Sequence, residues 1–544
     1  MKHDITLNDK KYFYLQITFV ILAVIIPLGY VLITNHIWED FFITFKHSKN
    51  LAEGNGLVYH PGERVHGFTS VFNTLLPALF YWLTGMTSYL PALWLYRIVS
   101  IFMYVAAGLF ILRFLNKDKD TSNISLVFFA LYYLFVTKTI VFATNGQEAG
   151  FFVFFVIVPL LLAYQSVFNN WKLIGILWAG LMYTRPDGFV YIIAMSLAVL
   201  FITSDDKKAT LISLFKAGLV CGAIYLPWFI FAWMYYGSPV PHTITAKSIY
   251  AINLPKHPLY VLNGLIYTAP LNFSKIFLPV YPEFGGWPYW LRLFAFFAGL
   301  FCTVYWLLPH KDRLGKYLSL FFFFVLMYLN LVSTIGVIFS WYLTAIESLG
   351  IIILSRGIFY FFHIIFKKDD IALPVSVAVN ILILIAFTTM LFSTTLQMKV
   401  QQEVVENGQR MKIGQWLNEH ADPGDSVFLE PLGYIGYFSG LKMYDFPGLV
   451  SPETVRVCKE NNTRDWAVIV EELQPTWLVL REGHLNEVFK NTITNNKEKY
   501  KHIATFDVRK EVLAYKELPG IDYLLVDSYF VIFKRQKMSD TENM

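Results

Sequence analysis

The chain has 544 residues, of which 56% are hydrophobic, 18% are aromatic and only 15% are charged. One soluble core cannot hide that much apolar surface, so the composition excludes an ordinary soluble protein and predicts an α-helical multi-pass membrane protein. The net charge of +5 falls mostly in loops, which we attribute to membrane topology and not to a nucleic-acid partner. Three cysteines, of which only Cys458 lies in a polar stretch, give no disulfide framework.

Apolar runs recur through most of the chain. The first, residues 12–34, contains no charge and is followed by no small-residue cleavage site, so we expect it to remain as an anchor. The sequence predicts eleven spans: 12–34, 90–112, 122–141, 149–168, 171–184, 188–203, 211–236, 288–308, 317–335, 337–355 and 371–396. The fifth is shorter than the roughly 20 residues of a full crossing, which is typical of a span that lines a cavity.

A short apolar run, residues 71–83, decides which way the chain faces. If it lies in the interface or re-enters, the lysines and arginines of the other loops gather on one side of the membrane, as the positive-inside rule requires. If it spans, nearly all of these charges move to the outer side. We therefore predict an interfacial or re-entrant helix, a cytoplasmic N-terminus and an extracytoplasmic C-terminus in the inner (plasma) membrane.

The first external loop, residues 35–89, opens with two adjacent carboxylates, Glu39 and Asp40. Aromatic residues recur behind them at helical spacing, which predicts a short helix on the membrane surface. An ordered loop at a water–lipid boundary can desolvate its acids and raise their pKa, so Asp40 is a candidate general base. A structural alternative stays open: Asp40 caps the N-terminus of the surface helix, and Glu39 is favoured by the helix dipole.

The rest of this loop has a defined path and a recognisable pattern. Gly54 and Gly56 end the predicted helix, and Pro61-Gly62 supplies the backbone angles of a type II turn. The loop resembles the first external loop of the C-type (GT-C) membrane glycosyltransferases that use polyprenyl-phosphate sugars, within the terminal arabinofuranosyltransferase and mannosyltransferase-like subgroup. Besides Glu39 and Asp40, the matching residues are Asn50, Leu51, Gly54, Gly56, Leu57, Pro61, Gly62 and Glu63. An aspartate is commoner in that subgroup at the position of Glu39.

Three later motifs match the same subgroup in the same order. They are the Gly-x-Glu motif that ends at Glu148, the Arg-Pro-Asp-Gly motif that begins at Arg185, and the Pro-x-Thr-x-x-Ala-Lys motif that ends at Lys247. The predicted topology puts all three on the outer side. The resemblance implies that Asp40, Glu39 and Glu148 are catalytic, or that these acids hold a divalent cation. It implies substrate binding by Lys247, Arg185, His242, Arg64 and His66.

Each of these motifs also has a structural interpretation. Glu148 at the start of a span would be stabilised by the helix dipole, although acids at membrane depth are usually functional. Arg185 and Asp187 would pair with each other across the proline turn. Lys247 would be a solvated charge, although outer loops are poor in lysine. The Trp341-Tyr342 pair near the outer end of a span is typical of an aromatic membrane anchor.

The composition changes after residue 396, which divides the chain into a membrane domain, 1–396, and an extracytoplasmic α/β domain, 397–544. In the second domain we predict helices at 411–420 and 466–473 and strands at 426–429, 476–480 and 523–533. Four of its residues are either sugar contacts or members of its core: Tyr434, Tyr437, Tyr444 and Asp445.

Together these features predict an inverting membrane glycosyltransferase of the hexosyl- or pentosyltransferase kind. Its donor would be a polyprenyl-phosphate sugar, and its acceptor a glycan, glycolipid or protein of the cell envelope. The alternatives are a lipid-linked sugar transporter or flippase and a non-catalytic envelope assembly subunit. A transporter would carry its acids near the bilayer midplane, whereas the three acids above are predicted at the outer boundary, which favours an enzyme.

Overall fold

The computed structural model describes residues 9–252, 254, 257–334, 338–489 and 496–536. Sixteen α-helices precede the first strand: α1 (Asp9–Thr34), α2 (Glu39–Ala52), α3 (Phe72–Leu83), α4 (Tyr89–Lys117), α5 (Asn123–Leu134), α6 (Thr137–Thr144), α7 (Ala149–Thr184), α8 (Gly188–Ala198), α9 (Lys207–Tyr236), α10 (His242–Lys247), α11 (Pro258–Phe277), α12 (Tyr289–Val304), α13 (Arg313–Ser333), α14 (Thr344–Phe366), α15 (Asp369–Val400) and α16 (Met411–His420). Short 3₁₀ segments lie at Ser248–Ala251, Pro282–Phe284, Tyr305–Leu307 and Ser340–Leu343, and π-helical segments at Val199–Thr203 and Gln401–Arg410.

Within the described residues, eight helices are long and apolar enough to cross a membrane, and a ninth span results if α5 and α6, bent by 43°, are joined. The predicted fold class, a multi-pass helical membrane protein with a C-terminal α/β domain, is confirmed. Large apolar side chains such as Leu32 and Met234 are 74% and 81% exposed, which suits helices whose outer faces meet lipid tails. Eleven spans were predicted, and three features account for the difference. The span at 122–141 is the bent pair, the spans at 149–168 and 171–184 both lie in α7, and residues 188–203 form a shorter apolar helix.

Helix α7 is a hairpin and not one straight rod. Its 36 residues would extend for about 54 Å as a regular helix. Yet a nitrogen of Arg185, just past its end, lies 3.5 Å from a carboxylate oxygen of Glu148, just before its start. The backbone is extended at Ser166 (φ −173°, ψ 108°), where the chain reverses. The fourth and fifth predicted spans are therefore the two arms of this hairpin, and their outer ends meet.

The first external loop follows the predicted path. Helix α2 begins with the acid pair, and Gly54, Gly56 and Gly62 take positive φ angles of 83°, 91° and 90°. Helix α3 has only 12 residues, so its length of about 18 Å is too short to span and agrees with an interfacial or re-entrant position.

The structure differs from the prediction in the segment between the spans predicted at 211–236 and 288–308. There α11 forms a 20-residue helix where no helix was predicted. Its apolar residues alternate with Asn, Thr, Ser and Lys, so its sequence shows no continuous apolar run.

The last membrane helix continues without a break into the C-terminal domain. Residues 369–420 form one helical rod of 52 residues, and its length of about 78 Å exceeds the roughly 30 Å hydrocarbon core of a bilayer. The predicted domain boundary at 396–397 falls inside this rod. The π-helical segment Gln401–Arg410 carries buried polar side chains between the two domains.

The C-terminal domain contains a five-stranded sheet in the order β2-β1-β3-β5-β4. Strands β1, β2 and β3 are parallel, and β5 pairs antiparallel with β3 and β4. The strands are β1 (Ser426–Leu429), β2 (Lys442–Asp445), β3 (Trp477–Arg481), β4 (Tyr500–Asp507) and β5 (Tyr529–Arg535). The helices are α17 (Gly433–Ser439), α18 (Pro452–Glu460), α19 (Trp466–Leu473), α20 (Glu482–Phe489), α21 (Asn496–Lys499), α22 (Arg509–Leu513) and α23 (Ile521–Val526).

The predicted helices at 411–420 and 466–473 and the strands at 426–429 and 476–480 are confirmed within a residue. The strand predicted at 523–533 is wrong in its first half, where residues 521–526 form α23. Ile521 and Leu524 pack there on Val400 and Val405 of the long helical rod, so tertiary contacts decide the structure of this apolar stretch. Strands β2 and β4 were not predicted, because β2 is short and β4 is mostly polar.

Candidate active site

Asp40 lies in the first turn of α2, half-buried between the membrane helices and the C-terminal domain. The N-cap of this helix is Trp38, which makes no side-chain capping bond, so Asp40 does not hold the capping position that its sequence also allowed. In the described part of the chain its carboxylate makes no hydrogen bond or ion pair. Burial raises the pKa of Asp40, and the charges of Lys247 and Arg410 oppose that rise. The carboxylate is thus poised to accept a proton.

Glu39 has a different role. Its Oε1 atom accepts a hydrogen bond of 2.5 Å from the backbone nitrogen of Gly433, the first residue of α17 in the C-terminal domain. A Cβ atom on Gly433 would lie 2.1 Å from the carbonyl oxygen of Glu39, so only glycine permits this close approach. Burial and the adjacent Asp40 raise the pKa of Glu39, while Arg410 lowers it. Glu39 therefore joins the acid pair to the second domain.

The outer ends of the α7 hairpin hold a compact charge cluster around Arg185. Its Nε and Nη2 atoms donate to the two oxygens of Asp187 at 2.9 and 3.1 Å, and its Nη1 atom lies 3.5 Å from Glu148. The guanidinium also lies over the ring of Tyr342 at 4.1 Å. Burial raises the pKa of Glu148, Arg185 lowers it, and the charge of Asp40 raises it again. Two carboxylates already balance the charge of Arg185.

Lys247 ends α10 on the other side of Tyr342. Its Nζ atom donates to the Tyr342 hydroxyl at 3.0 Å and has no carboxylate within ion-pair distance in the described chain. Burial works against its charge, but Tyr342 and Asp40 outweigh burial and raise the pKa of Lys247. Tyr342 consequently joins two cations, one through its hydroxyl and one through its ring face. Of the two, Lys247 is the cation available to a bound anion.

Three predicted substrate-binding residues lie in a separate group. The ring of His66 stacks on Tyr236 with centroids 4.6 Å apart, and the guanidinium of Arg64 lies over Tyr235 at 4.8 Å. The backbone nitrogen of His242 donates to the His66 carbonyl at 2.9 Å, which fixes the start of α10. Burial lowers the pKa of His66 to about 3, so this imidazole is neutral. Within the described residues, none of the three contacts the acids or Lys247, although His242 positions the helix that carries Lys247.

Sequence reasoning missed a buried ladder of charges behind the acid pair. Arg410 pairs with Glu406 at 2.8 Å and with Asp527, which also pairs with Arg481 at 2.5 Å, and Arg481 pairs with Glu430 at 2.8 Å. Arg410 lies in the π-helical segment and opposes the raised pKa of both Glu39 and Asp40. An Arg in the connection between two domains carries no sequence signal for such a role. Tyr342 was missed because its position suggested a membrane anchor.

The four residues that the sequence suggested as sugar contacts or core members of the C-terminal domain are buried or half-buried. Tyr434 is 1% exposed and donates to the carbonyl of Ile37 at 3.1 Å. The rings of Tyr437 and Phe42 lie 4.9 Å apart. The carboxylate of Asp445 accepts from the backbone nitrogens of the turn at 448–450, and it is fully buried. Tyr444 is half-buried beneath the ammonium of Lys442.

The three acids that the resemblance offered as possible ligands for a divalent cation differ in their partners within the described chain. Glu39 binds the Gly433 nitrogen and Glu148 faces Arg185, which leaves Asp40 as the acid without a direct partner. No group of three or more His, Cys, Asp or Glu side chains in the described ranges could hold a metal ion. The residues present therefore do not form a metal cage by themselves.

Comparison with known proteins gives the fold. A family model described as a domain of unknown function, DUF8728, matches residues 397–528. The crystal structure of the Archaeoglobus fulgidus oligosaccharyltransferase with a tethered acceptor peptide is similar over 93% of this chain and 74% of that one, with a TM-score of 0.57 at 13% identity. ArnT from Cupriavidus metallidurans is similar over 95% of this chain and 97% of its own, with TM-scores of 0.52 in the apo state and 0.50 bound to undecaprenyl phosphate, at 12% and 11% identity.

No curated protein sequence matches the chain. The structural similarity extends over nearly the whole length and includes the C-terminal domain in its coverage. The chain therefore has the GT-C fold that the motifs of the first external loop suggested, although these low identities establish the fold alone.

Proposed function

We propose that this protein is a membrane glycosyltransferase that transfers a sugar from a polyprenyl-phosphate donor to a hydroxyl group of a cell-envelope acceptor. The acceptor is a glycan, a glycolipid or a protein, and the reaction takes place on the extracytoplasmic face of the inner membrane. The observation that carries the proposal is a pair of complementary groups: the half-buried carboxylate of Asp40 has no hydrogen bond or ion pair in the described chain, and it lies within electrostatic range of the Lys247 ammonium, which binds the Tyr342 hydroxyl. These groups supply a proton acceptor and an anion partner.

In the proposed reaction, Asp40 takes the proton from the acceptor hydroxyl as its oxygen attacks the anomeric carbon of the donor sugar. The new glycosidic bond forms as the bond between the sugar and the phosphate oxygen breaks. The electron pair of that bond leaves with the polyprenyl phosphate, whose charge Lys247 stabilises. A single displacement inverts the anomeric configuration. The raised pKa of Asp40 suits this work, because a stronger base accepts the proton more readily.

Glu39, Arg185 and Glu148 support this centre in the proposal. Glu39 fixes the start of α2 against Gly433, which orients the neighbouring Asp40. Arg185 is already paired with Asp187 and Glu148, so its contribution is to hold Tyr342 in place beneath Lys247. Cation binding between Asp40 and Glu148 stays a prediction, and turnover in the presence of EDTA tests it. No step of the proposed reaction depends on a cation.

The position of these residues argues against a transporter for the same lipid. Asp40, Glu148, Arg185 and Lys247 all lie outside the helices that are long enough to cross the membrane. A transport path requires polar groups near the bilayer midplane, where they can bind a substrate that crosses. A cluster at the ends of the spans instead suits a lipid headgroup that enters laterally and reacts at the surface.

A transfer assay with purified protein in lipid nanodiscs tests the proposal. The donors are polyprenyl-phosphate hexoses and pentoses, each supplied with an envelope glycan extract as the acceptor. We expect release of polyprenyl phosphate with at least one donor and the appearance of a new glycosidic bond in the acceptor. Movement of an intact lipid-linked sugar between leaflets, with no cleavage of any donor, would identify the transporter instead.

A further inference from the structure

A cavity of about 600 Å³ lies in the C-terminal domain, open to solvent, where its parallel strands end. Glu430 follows β1, Phe446 follows β2, and His484 lies three residues after β3. In open α/β sheets, ligands bind in the crevice outside the carboxyl ends of such strands. Trp466 and Arg464, at the start of α19, also line the cavity. Its position is thus the usual ligand-binding position of its architecture.

One wall of the cavity comes from the membrane domain. Tyr250, which follows α10, lines it, and its carbonyl oxygen accepts a hydrogen bond of 3.3 Å from Arg464. The ring of Tyr250 also meets Phe446, with centroids 6.2 Å apart. The cavity is therefore formed by both domains together and is a feature of the whole chain.

Two lining residues lie close in sequence to groups that act on the acid pair. Tyr250 lies three residues after Lys247, whose charge acts on Asp40, and Glu430 lies three residues before Gly433, which binds Glu39. Three residues span at most about 10 Å of chain. A ligand in the cavity consequently lies next to the centre at which the donor is proposed to react, on the side of the C-terminal domain.

The lining has the chemistry of a site for a neutral, hydroxyl-rich ring. The half-buried rings of Tyr250 and Phe446 supply flat apolar surfaces, on which the apolar face of a sugar ring can pack, and the buried Trp466 supports Phe446 from behind. Glu430 and Glu487 can accept hydrogen bonds from hydroxyl groups, and Arg464 can donate to them. His484 also lines the cavity; its Nδ1 atom has no hydrogen-bond partner among the described residues, and its ring lies against Trp466 with centroids 3.8 Å apart.

The charges of the described lining disfavour an anionic ligand. Three carboxylates, those of Glu430, Asp465 and Glu487, share the cavity with the guanidinium of Arg464, and Arg481 pairs with Glu430 at 2.8 Å. The carboxylates thus outnumber these guanidinium groups by three to two, which leaves no surplus positive charge for a phosphate or an acidic sugar. The connection after β1 also lacks the glycine-rich turn that holds nucleotide phosphates, since it begins Glu430-Pro431.

We infer that this cavity binds neutral sugar units of an acceptor glycan, close to the unit whose hydroxyl group is to be glycosylated. The inference rests on the proposed function and adds to it the class of acceptor and the place where it is held. It assigns Tyr250 and Phe446 as stacking surfaces and Arg464 as a hydrogen-bond donor. None of these residues belongs to the proposed reaction centre.

The domain contains its own control site. A second cavity of about 650 Å³ is lined by residues of β4 and α22, including Asp507, Arg509 and Glu511, and has no aromatic side chain. Arg509 is a half-buried arginine that pairs with Asp507 and Glu482, and Tyr515, just beyond α22, is an exposed tyrosine. Arg509→Gln and Tyr515→Ala make the same substitutions as Arg464→Gln and Tyr250→Ala at residues outside the first cavity, so they are the controls.

The test is binding of short neutral oligosaccharides of glucose, galactose, mannose or arabinose to the full-length protein in nanodiscs. The protein carries Asp40→Asn and no donor is present, so binding is measured without turnover. We expect at least one neutral oligosaccharide to bind, and Tyr250→Ala and Arg464→Gln each to weaken binding by about tenfold, since an aromatic or hydrogen-bond contact is worth roughly one such factor. The two control variants should bind as the parent does.

Several results would overturn the inference. They are no binding of any neutral oligosaccharide, equal weakening by the control variants, or tighter binding of oligogalacturonate or of an unglycosylated peptide. Arg464 is exposed, so Arg464→Gln reports on binding even if Tyr250→Ala does not fold. Because no transfer is measured, a protein that binds these oligosaccharides but never cleaves a donor would refute the proposed function and still support the cavity.

Discussion

The carboxylate of Glu39 accepts a hydrogen bond of 2.5 Å from the backbone nitrogen of Gly433, across 394 residues of sequence. The contact ties the first external loop to the first helix after β1. Lys46 adds a second tie, since its Nζ atom donates to the carbonyl of Gly436 at 2.8 Å. The loop that carries Asp40 is therefore held between both domains, and the reaction centre depends on their docking.

Gly433→Ala tests this docking. The added Cβ atom would lie 2.1 Å from the Glu39 carbonyl oxygen, so the two backbones must separate. We expect a loss of about 1–3 kcal/mol in the free energy of unfolding, as in other overpacked sites, together with loss of transfer activity. Gly424→Ala is the matched control, because nothing lies within 4 Å of its added Cβ atom. Equal activity in the two variants would show that the contact does not matter.

The acid pair could be found from sequence because it stands alone between an apolar run and an aromatic helix, and local patterns report such features. Arg410 and Gly433 could not be found in this way. Their partners are remote in sequence, and nothing near Gly433 shows that a carboxylate will meet its nitrogen. The reversal in α7 was predicted, since the spans at 149–168 and 171–184 were separated close to it, but no proline or glycine marks Ser166 as the residue at which the chain turns.

Lys247→Ala should weaken donor binding. The lysine has no carboxylate at ion-pair distance in the described structure, so its charge is available to a phosphate. Loss of a charge-assisted bond costs about 1.5–3 kcal/mol, or roughly ten- to a hundredfold in the dissociation constant of a short-chain polyprenyl phosphate. Tyr342→Phe, which removes only the hydroxyl group, should have a smaller effect. Lys49→Ala, in the helix that carries Asp40, is the control, and an unchanged affinity in Lys247→Ala would remove this residue from the site.

Arg185→Gln should destabilise the protein more than it changes donor affinity. The substitution leaves the carboxylates of Glu148 and Asp187 without their cation, and both are largely buried. Breaking such a buried pair costs about 3–5 kcal/mol of stability. Arg185→Gln combined with Asp187→Asn should recover part of the loss, because one of the two unpaired charges is then removed. An unchanged unfolding temperature in Arg185→Gln would contradict this account.

The difference in stability between Asp40→Asn and the wild type should depend on pH in a defined direction. Burial raises the pKa of Asp40 in the folded protein, so the carboxyl group favours folding when protonated. That contribution is present below the ordinary pKa of aspartate, about 3.9, and is lost as the pH rises through the raised value. Asp40→Asn should therefore unfold at a higher temperature than the wild type at neutral pH, and at a similar temperature in acid. A capping role would instead make Asp40→Ala less stable by ~1 kcal/mol.

The most direct test of the central claim is the transfer rate of Asp40→Asn in nanodiscs, with folding confirmed by the unfolding curve. Asparagine keeps the size of the side chain but cannot accept the proton. General-base catalysis contributes about 10²- to 10⁴-fold, so we predict a loss of turnover of at least about a hundredfold. Glu39→Gln should lose less, because the amide oxygen of glutamine can still accept from the Gly433 nitrogen. Near-normal turnover by well-folded Asp40→Asn would contradict the assignment of Asp40 as the base.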